Sequence, residues 1–311
     1  MKSIELVVPC YNEESCVRPL YEAVDRVFSC ISNYSYSILF IDDGSSDGTI
    51  SEIKKLKVHD SEKIDYISFP RNFGKEAGIY AGLKNSTGDL VVLMDADLQH
   101  PPEILPEMIR GIEEGYDCCG ARRISRKGEP VIRSFFSRTF YKIINTVTEM
   151  QLVQGGSDFR IMTRRMVDAI LQLDERERFT KGILSWVGFD TKWVEYENVE
   201  RRAGESKWSF WGLFRYAVSG FLAFATAPLR AVIYFGMFIV GISLIYAIIT
   251  LISALTVESP RTGYTTIIIL ILFIGGVIIS LLGVIGEYIA RIYTELKHRP
   301  IYIEKENTKK R

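Results

Sequence analysis

Along the first two hundred residues, short apolar runs alternate with segments whose apolar positions recur at helical spacing. The runs Ile4–Val8, Ser37–Ile41, Ile64–Phe69 and Asp89–Met94 have strand length, and each is followed by a proline or an aspartate. Between them, Val17–Val27, Thr49–Lys57 and Lys75–Leu83 are amphipathic and predict helices. Strand–helix–strand alternation of this kind predicts an α/β fold with a mostly parallel sheet. Ligands on such sheets sit outside the carboxyl ends of the strands, so chemistry is expected in the loops that follow them. Pro101-Pro102 opens a further helix, since proline is tolerated in a first helical turn.

The pattern changes near residue 208. Ala231–Val257 is 27 residues without a charge, and Thr262–Gly286 is 25 more. A membrane span needs about 20 apolar residues, so two transmembrane helices are expected, joined by Glu258-Ser259-Pro260-Arg261; a pair of buried core helices is the alternative. Arg230 precedes the first run, Arg291, Lys297 and Arg299 follow the second, and the chain ends Lys309-Lys310-Arg311. By the positive-inside rule both flanks lie in the cytoplasm. Trp208–Ala227 carries seven aromatic residues and Arg215 as its one charge. It reads as interfacial amphipathic helices at headgroup depth, or as an ordinary core helix. Glu287 and Arg291, four apart, are expected to form an ion pair at the end of the second span. The expected organisation is 1–207 as the catalytic domain, 208–229 as interfacial helices, 230–291 as a transmembrane hairpin and 292–311 as a basic cytoplasmic tail.

Composition sharpens this in two ways. The 38 basic and 38 acidic residues balance, so no global field points to nucleic acid as a partner. The five cysteines, Cys10, Cys16, Cys30, Cys118 and Cys119, lack zinc-type pairing and are odd in number, which favours a reducing compartment. The N-terminal residues lack the apolar core of a signal peptide, so the soluble part is expected in the cytoplasm.

The loops after the strands carry the candidate chemistry. Asp95-Ala96-Asp97-Leu98-Gln99 follows an apolar strand, and Asp95 and Asp97 share one side of an extended chain. Hard oxygen ligands of this kind suit Mg²⁺ or Mn²⁺ held partly by substrate phosphates; an acidic turn is the plain alternative. In Pro9-Cys10-Tyr11-Asn12-Glu13-Glu14, proline stops the strand and Tyr11 offers a ring for stacking. In Asp42-Asp43-Gly44-Ser45-Ser46-Asp47-Gly48-Thr49, the glycines allow tight turns and Ser46 or Asp47 can cap the next helix. A carboxylate there suits the ring N–H of a base such as uracil, and pure turn chemistry explains the loop equally. In Pro70-Arg71-Asn72-Phe73-Gly74-Lys75, Arg71 and Lys75 either face phosphate from a helix N-terminus or are surface cations.

The four loops in this order resemble family 2 glycosyltransferases with the GT-A fold, a Rossmann-like, mostly parallel sheet. Within that family the chain is similar to the polyprenyl-phosphate glycosyltransferases, such as dolichyl-phosphate mannose synthases and bactoprenol glucosyltransferases. The motifs cover about residues 1 to 210, and the two-span tail matches the bactoprenol-linked branch. The resemblance implies roles residue by residue. Pro9, Tyr11, Glu13 and Asp43 would line the nucleotide pocket. Asp95, Asp97 and Gln99 would serve the metal, with Asp95 and Ala96 also on the nucleotide-sugar. In Gly120-Ala121-Arg122-Arg123 one arginine would face substrate phosphate, and the local pattern leaves open which. Arg133 and Ser137 match an acceptor-phosphate pair, or Arg133 is a surface arginine. Asp158 occupies the position of a catalytic acid/base, or caps a turn and orients Arg160. Arg201, Arg202 and Lys207 lie in a basic loop before the membrane, where Ala203 departs from the arginine of the mannose synthases.

The resemblance implies inverting transfer of one hexose from a nucleotide-sugar, best UDP-glucose, to undecaprenyl phosphate at the inner face of the plasma membrane, for cell-envelope glycosylation. GDP-mannose, UDP-GlcNAc and UDP-galactose are the other donors. The partners are then the nucleotide-sugar, the polyprenyl phosphate, membrane lipids and, through helix packing, further copies of the chain as a homo-oligomer. A processive polysaccharide synthase would carry Gln-x-x-Arg-Trp, which this sequence lacks. A non-catalytic membrane adaptor would be marked by a broken Asp-x-Asp, and this one is intact.

Overall fold

The computed structural model describes residues 1–124, 145–146, 153–176, 178–196, 227–256 and 263–309. It divides into two compact units. One holds Met1–Gly220 together with Arg299–Arg311, and the other holds Phe221–His298.

The first unit is built on strands β1 (Lys2–Cys10), β2 (Tyr34–Asp42), β3 (Ile64–Ser68), β4 (Leu90–Leu93), β5 (Cys118–Arg123), β6 (Gly156–Thr163), β7 (Thr191–Tyr196) and β8 (Glu306–Asn307). Helices α1 (Glu14–Phe28), α2 (Thr49–His59), α3 (Lys75–Asn85), α4 (Leu105–Glu113), α5 (Arg164–Leu171) and α6 (Thr180–Trp186) connect or flank them. The four strands and three helices expected from the apolar pattern are all present, each within a few residues of its expected ends. Pro102 opens a short 3₁₀ turn that leads into α4.

The sheet order is β7-β5-β6-β4-β1-β2-β3-β8. β3, β2, β1 and β4 run parallel, and β5 and β7 are parallel to each other. β6 enters antiparallel between β4 and β5, and β8 is antiparallel on the β3 edge. The chain leaves β1 toward β2 and β3, then crosses back to place β4 on the other side. The crevice between β1 and β4 is therefore the topological switch point, where α/β sheets bind ligands.

Burial explains the near-continuous apolar strands, because both faces of the sheet are covered. On one face Ile4, Leu6 and Val8 pack into a core with Val17, Leu20, Val24 and Phe28 of α1 and with Leu105, Met108 and Ile109 of α4. The spacing of those four α1 residues is one helical stripe. On the other face α3 lies so close to β1 that a Cβ on Gly82 would fall 2.1 Å from Val7 Cγ1. Cys10, Cys16, Cys118 and Cys119 are buried, and all five cysteines are free thiols.

The last residues return to this unit. β8 pairs Ile67 with Asn307 and Ser68 with Glu306. Beyond it, the Lys309 ammonium forms an ion pair with Glu5 of β1, which is only 2% exposed. The other Glu5 oxygen accepts the N–H groups of Thr87 (2.6 Å) and Gly88 (3.1 Å). The end of the chain thus supplies the countercharge of a buried carboxylate inside the first unit.

The second unit contains α7 (Ala227–Thr256) and α8 (Tyr264–Leu296). Phe273–Leu296 within α8 is long and apolar enough to cross a membrane, and Tyr234–Tyr246 within α7 is a shorter apolar helical stretch. Of the two expected spans, the second meets this criterion among the described residues. Many of its large apolar side chains, among them Phe273, Ile279 and Leu282, are exposed. The expected ion pair forms, with Arg291 Nη2 3.4 Å from Glu287 Oε1. The interfacial segment expected at 208–229 lies outside the described residues up to position 226.

Removing one partner of a buried ion pair strands the other charge and costs about 3 kcal/mol. Lys309→Ala is therefore expected to lower unfolding free energy by about that amount in denaturant titration. The double variant Glu5→Gln, Lys309→Met is expected to recover most of it. A single-variant loss below about 0.5 kcal/mol would mean that the pair behaves as an exposed one.

Candidate active site

The loops after β1 and β2 are tied into one lattice. Asn12 adopts a left-handed conformation at φ 54°, which asparagine tolerates. Its N–H donates to Ser45 Oγ (3.0 Å), and its Oδ1 accepts the Ser46 N–H (2.8 Å). The Glu13 N–H donates to Thr49 Oγ1 (2.8 Å), and Asp47 accepts the Glu14 N–H (3.3 Å) at the start of α1. Asp47 also accepts the Thr49 N–H (3.0 Å), but Gly48, not Ser46 or Asp47, occupies the N-cap of α2, and no side chain caps that helix. Pro9, expected to stop the strand, is instead paired within β1, which runs one residue further to Cys10 because Cys10 still pairs with Asp42 of β2; Tyr11 beyond it is exposed.

The loop after β3 is fastened to the end of β2. Gly44 sits at φ 65°, and a Cβ there would lie 2.4 Å from the Arg71 backbone carbon, so only glycine fits. Asp43, 4% exposed, accepts the Phe73 N–H on Oδ1 (2.6 Å) and the Gly74 N–H on Oδ2 (2.9 Å). Burial pushes its carboxyl up, and those two N–H groups pull it back only in part. Expected to line the nucleotide pocket, Asp43 is thus first a tie that shapes the loop, with lone pairs remaining on each oxygen.

That loop delivers Lys75 as the first residue of α3. Lys75 Nζ lies 2.7 Å from Asp95 Oδ1 and 2.8 Å from Asp158 Oδ2. The sheet explains this meeting. β4 and β6 pair Leu93 with Arg160, and two further residues of the same antiparallel register set Asp95 opposite Asp158. Lys181, on the first turn of α6, lies 4.0 Å from Asp158 Oδ1. Burial alone would raise the Asp158 carboxyl, but Lys75 and Lys181 hold it far below the usual range. Burial alone would lower the Lys75 ammonium, and Asp158 and Asp95 hold it above the usual range. Asp158 is thus a fixed carboxylate and Lys75 a fixed cation at neutral pH.

His100 and Tyr196 close the other side. Tyr196 Oη is 2.7 Å from His100 Nδ1, and His100 Nε2 is 3.9 Å from Asp95 Oδ2. Burial lowers the imidazole below its ordinary value despite the surrounding aspartates, so the ring is neutral at pH 7. Asp97 Oδ1 accepts the Gln99 N–H (3.1 Å) across Leu98, which is held left-handed at φ 56°. A bulky residue there is strained, and such strain collects at functional sites. Ala96 is buried in the core beneath the turn. Burial pushes the Cys16 thiol up, and the Glu13 and Asp97 carboxylates add to it.

The two candidate arginines diverge, as neighbours on a strand must. Arg122 is exposed, 3.8 Å from Glu195. Arg123 is half-buried; burial raises the Tyr196 hydroxyl, and Ser157 and then Arg123 pull it back in part. Arg133, Ser137, Arg201, Arg202 and Lys207 lie outside the described residues. Lys181, His100 and Tyr196 had not been singled out: Lys181 sits in a mixed-charge segment, and the other two are joined only by the sheet.

No group of three His, Cys, Asp or Glu side chains gathers among the described residues. Two carboxylates on one turn nevertheless fit Mg²⁺ or Mn²⁺, which are held by one or two carboxylates together with substrate phosphates. Asp95 and Asp97 are the residues that would hold such an ion.

A mostly parallel α/β sheet with the reversed strand β6 beside a cluster of carboxylates at its switch point is the GT-A arrangement of nucleotide-dependent transferases. The chain belongs to glycosyl transferase family 2, whose model matches residues 5–171; residues 227–292 match the GtrB C-terminal hairpin. CsbB of Bacillus subtilis (strain 168), a glycosyltransferase by name, is 49% identical over 97% of this chain and 91% of its own. The bactoprenol glucosyl transferase of Shigella phage SfV is 42% identical over 99% of both chains. Among solved structures, mannosyl-3-phosphoglycerate synthase from Rubrobacter xylanophilus shares the fold, with TM-score 0.50, 17% identity and 74% of each chain covered.

Replacing Lys75 by Met leaves Asp95 and Asp158 facing each other without a cation, so Lys75→Met is expected to cut transfer about a hundredfold or more. The same variant tests linkage. A depressed Asp158 contributes stability that is full above about pH 4 and is lost as pH falls toward its folded-state value. Denaturant titrations at descending pH are expected to show a flatter acid limb in Lys75→Met. Wild-type activity with an unchanged acid limb would make Lys75 a surface cation.

Proposed function

We propose that this protein transfers one hexose, with inversion, from UDP-glucose to undecaprenyl phosphate at the cytoplasmic face of the membrane. The observation that carries the reading is the pairing of two features in one chain. A cation-braced carboxylate site sits at the switch point of a family 2 domain, and an apolar helix with exposed Phe273, Ile279 and Leu282 follows it. An exposed apolar surface of that extent calls for lipid, and a lipid-borne acceptor must be met at the bilayer surface. The full-length likeness to a bactoprenol glucosyl transferase supports both the acceptor and glucose. Both helices span in this reading, and both flanks are cytoplasmic.

The chemistry follows from the residues. The nucleotide lies across Pro9, Tyr11, Glu13 and Asp43, with its diphosphate toward Asp95, Ala96 and Asp97. Asp95 and Asp97, with Gln99 beside them, would hold a divalent ion, which when bound would supply charge stabilisation for the departing nucleoside diphosphate. Arg122 or Arg123, together with Arg201, Arg202 and Lys207, supplies positive charge for the substrate phosphates. Arg133 and Ser137 hold the acceptor phosphate. One oxygen of that phosphate attacks the anomeric carbon from the face opposite the diphosphate. The carbon–oxygen bond to the diphosphate breaks, and the leaving group keeps the electron pair.

A phosphate monoester has a second pKa of about 6, so the acceptor is largely a dianion at neutral pH and needs no strong base. Asp158 suits a positional role. Braced by Lys75 and held far below the ordinary carboxylate range, it is a poor proton acceptor and a good anchor for Lys75 and Lys181.

The assay is a panel of radiolabelled nucleotide-sugars with membranes and undecaprenyl phosphate, reading label in the organic phase. UDP-glucose is expected to label the lipid best. Preference for GDP-mannose, UDP-GlcNAc or UDP-galactose would change the donor, and absence of lipid label with every donor would favour an adaptor. Asp97→Asn is expected to abolish metal-dependent transfer while the protein stays folded; near-normal activity would remove the metal assignment. Asp158→Asn is expected to lose activity at every pH tested. A loss confined to part of the pH range would make Asp158 a proton carrier.

A further inference from the structure

The segment after α8 reaches the active-site loop from behind. Tyr302, six residues past the end of α8 at Leu296, stacks on Phe69 with ring centroids 5.1 Å apart and planes at 25°. It meets Tyr80 edge-on at 6.3 Å. Asn85 Nδ2 donates to Tyr302 Oη at 3.1 Å, and Oη donates to Glu304 at 3.4 Å. The ring is therefore fixed by the end of β3, by α3 and by its own segment. β8 and the Lys309–Glu5 ion pair anchor that segment just beyond.

Phe69 passes this contact on. Its N–H donates to the Asp42 carbonyl (2.9 Å), and its ring meets Phe73 edge-on at 5.7 Å. Phe73 and Gly74 give their N–H groups to Asp43, and the next residue is Lys75, which braces Asp95 and Asp158. Between Phe69 and Lys75 the backbone has no regular structure, and Gly74 sits at φ 99°. The loop conformation thus depends on the Asp43 carboxylate and on these ring contacts.

We infer that Tyr302 is a positioning residue for the donor site: from outside the family 2 domain it holds the Phe69–Lys75 loop so that Asp43 and Lys75 line the nucleotide-sugar pocket. The inference rests on the proposed placement of Asp43 in that pocket. Without the stacked ring the loop populates other conformations, and apparent donor affinity falls in proportion to the competent fraction.

The test uses the full chain in membranes and measures kcat together with KM for nucleotide-sugar and for undecaprenyl phosphate. Tyr302→Ala is expected to raise donor KM about five- to tenfold, the worth of one aromatic pair. Acceptor KM stays the same and kcat stays within about twofold. Tyr302→Phe keeps the ring and is expected to restore donor KM. If the alanine variant does not accumulate, Tyr302→Leu is measured by the same criteria. A fall in kcat at unchanged donor KM would mark a merely structural role and overturn the inference, as would failure of phenylalanine to rescue. Asp43→Asn separates the two layers. If it raises donor KM while Tyr302→Ala does not, the inference alone fails. If Asp43→Asn leaves donor KM unchanged, the placement of Asp43 in the pocket fails and takes the inference with it.

Discussion

The site depends on one ammonium group held between two carboxylates. Asp158 stands on β6 and Asp95 lies two residues past the end of the neighbouring β4, and without Lys75 their charges would repel. Three unrelated pieces of chain bring the cation there. Asp43 ties down the loop that precedes α3, α3 presents Lys75 in its first turn, and the reversed strand β6 carries Asp158 to the end of β4. Residues 43, 75, 95 and 158 form one electrostatic unit, although more than a hundred positions separate the first from the last. The unit also fixes charge states: Asp158 stays ionised, and His100, buried beside Asp95, stays neutral.

The second constraint is the way the chain ends. After two long apolar helices it returns to the first unit, adds an edge strand to β3 and neutralises Glu5. An exposed strand edge is a liability, and covering it is one way proteins manage it. Here the cover also sits against Phe69, at the root of the loop that carries Lys75. The segment that follows the hairpin in sequence thus packs within the first unit, against the loop that carries Lys75. That arrangement suits an enzyme whose acceptor is anchored in lipid.

Much of this was legible in the sequence. The parallel strands and their helices followed from apolar periodicity, because burial on both faces leaves continuous apolar runs. Asp95 and Asp97 stood out because two carboxylates end such a run. The reversed strand was less visible: Gly156-Ser157-Asp158-Phe159-Arg160 is largely polar at its start, and only pairing with β4 and β5 makes it a strand. For the same reason Lys75 read as a phosphate-facing or surface cation. Its helix start was evident, but its partners come from a register that no local pattern encodes. Lys181, His100 and Tyr196 were hidden likewise, as single residues that converge only across the sheet. The return of the tail rests on a two-residue strand and one ion pair, too short for any periodicity to reveal; the same residues had read simply as a basic tail.

The central claim is that this braced carboxylate site acts on a lipid-borne phosphate. The most direct measurement is release of nucleoside diphosphate from UDP-glucose by the purified full chain, with and without undecaprenyl phosphate, with lipid product recovered in equal amount. The account predicts release only when the lipid phosphate is present, one glucosyl lipid formed per nucleoside diphosphate. Release that is indifferent to the lipid, or none under either condition, would contradict it.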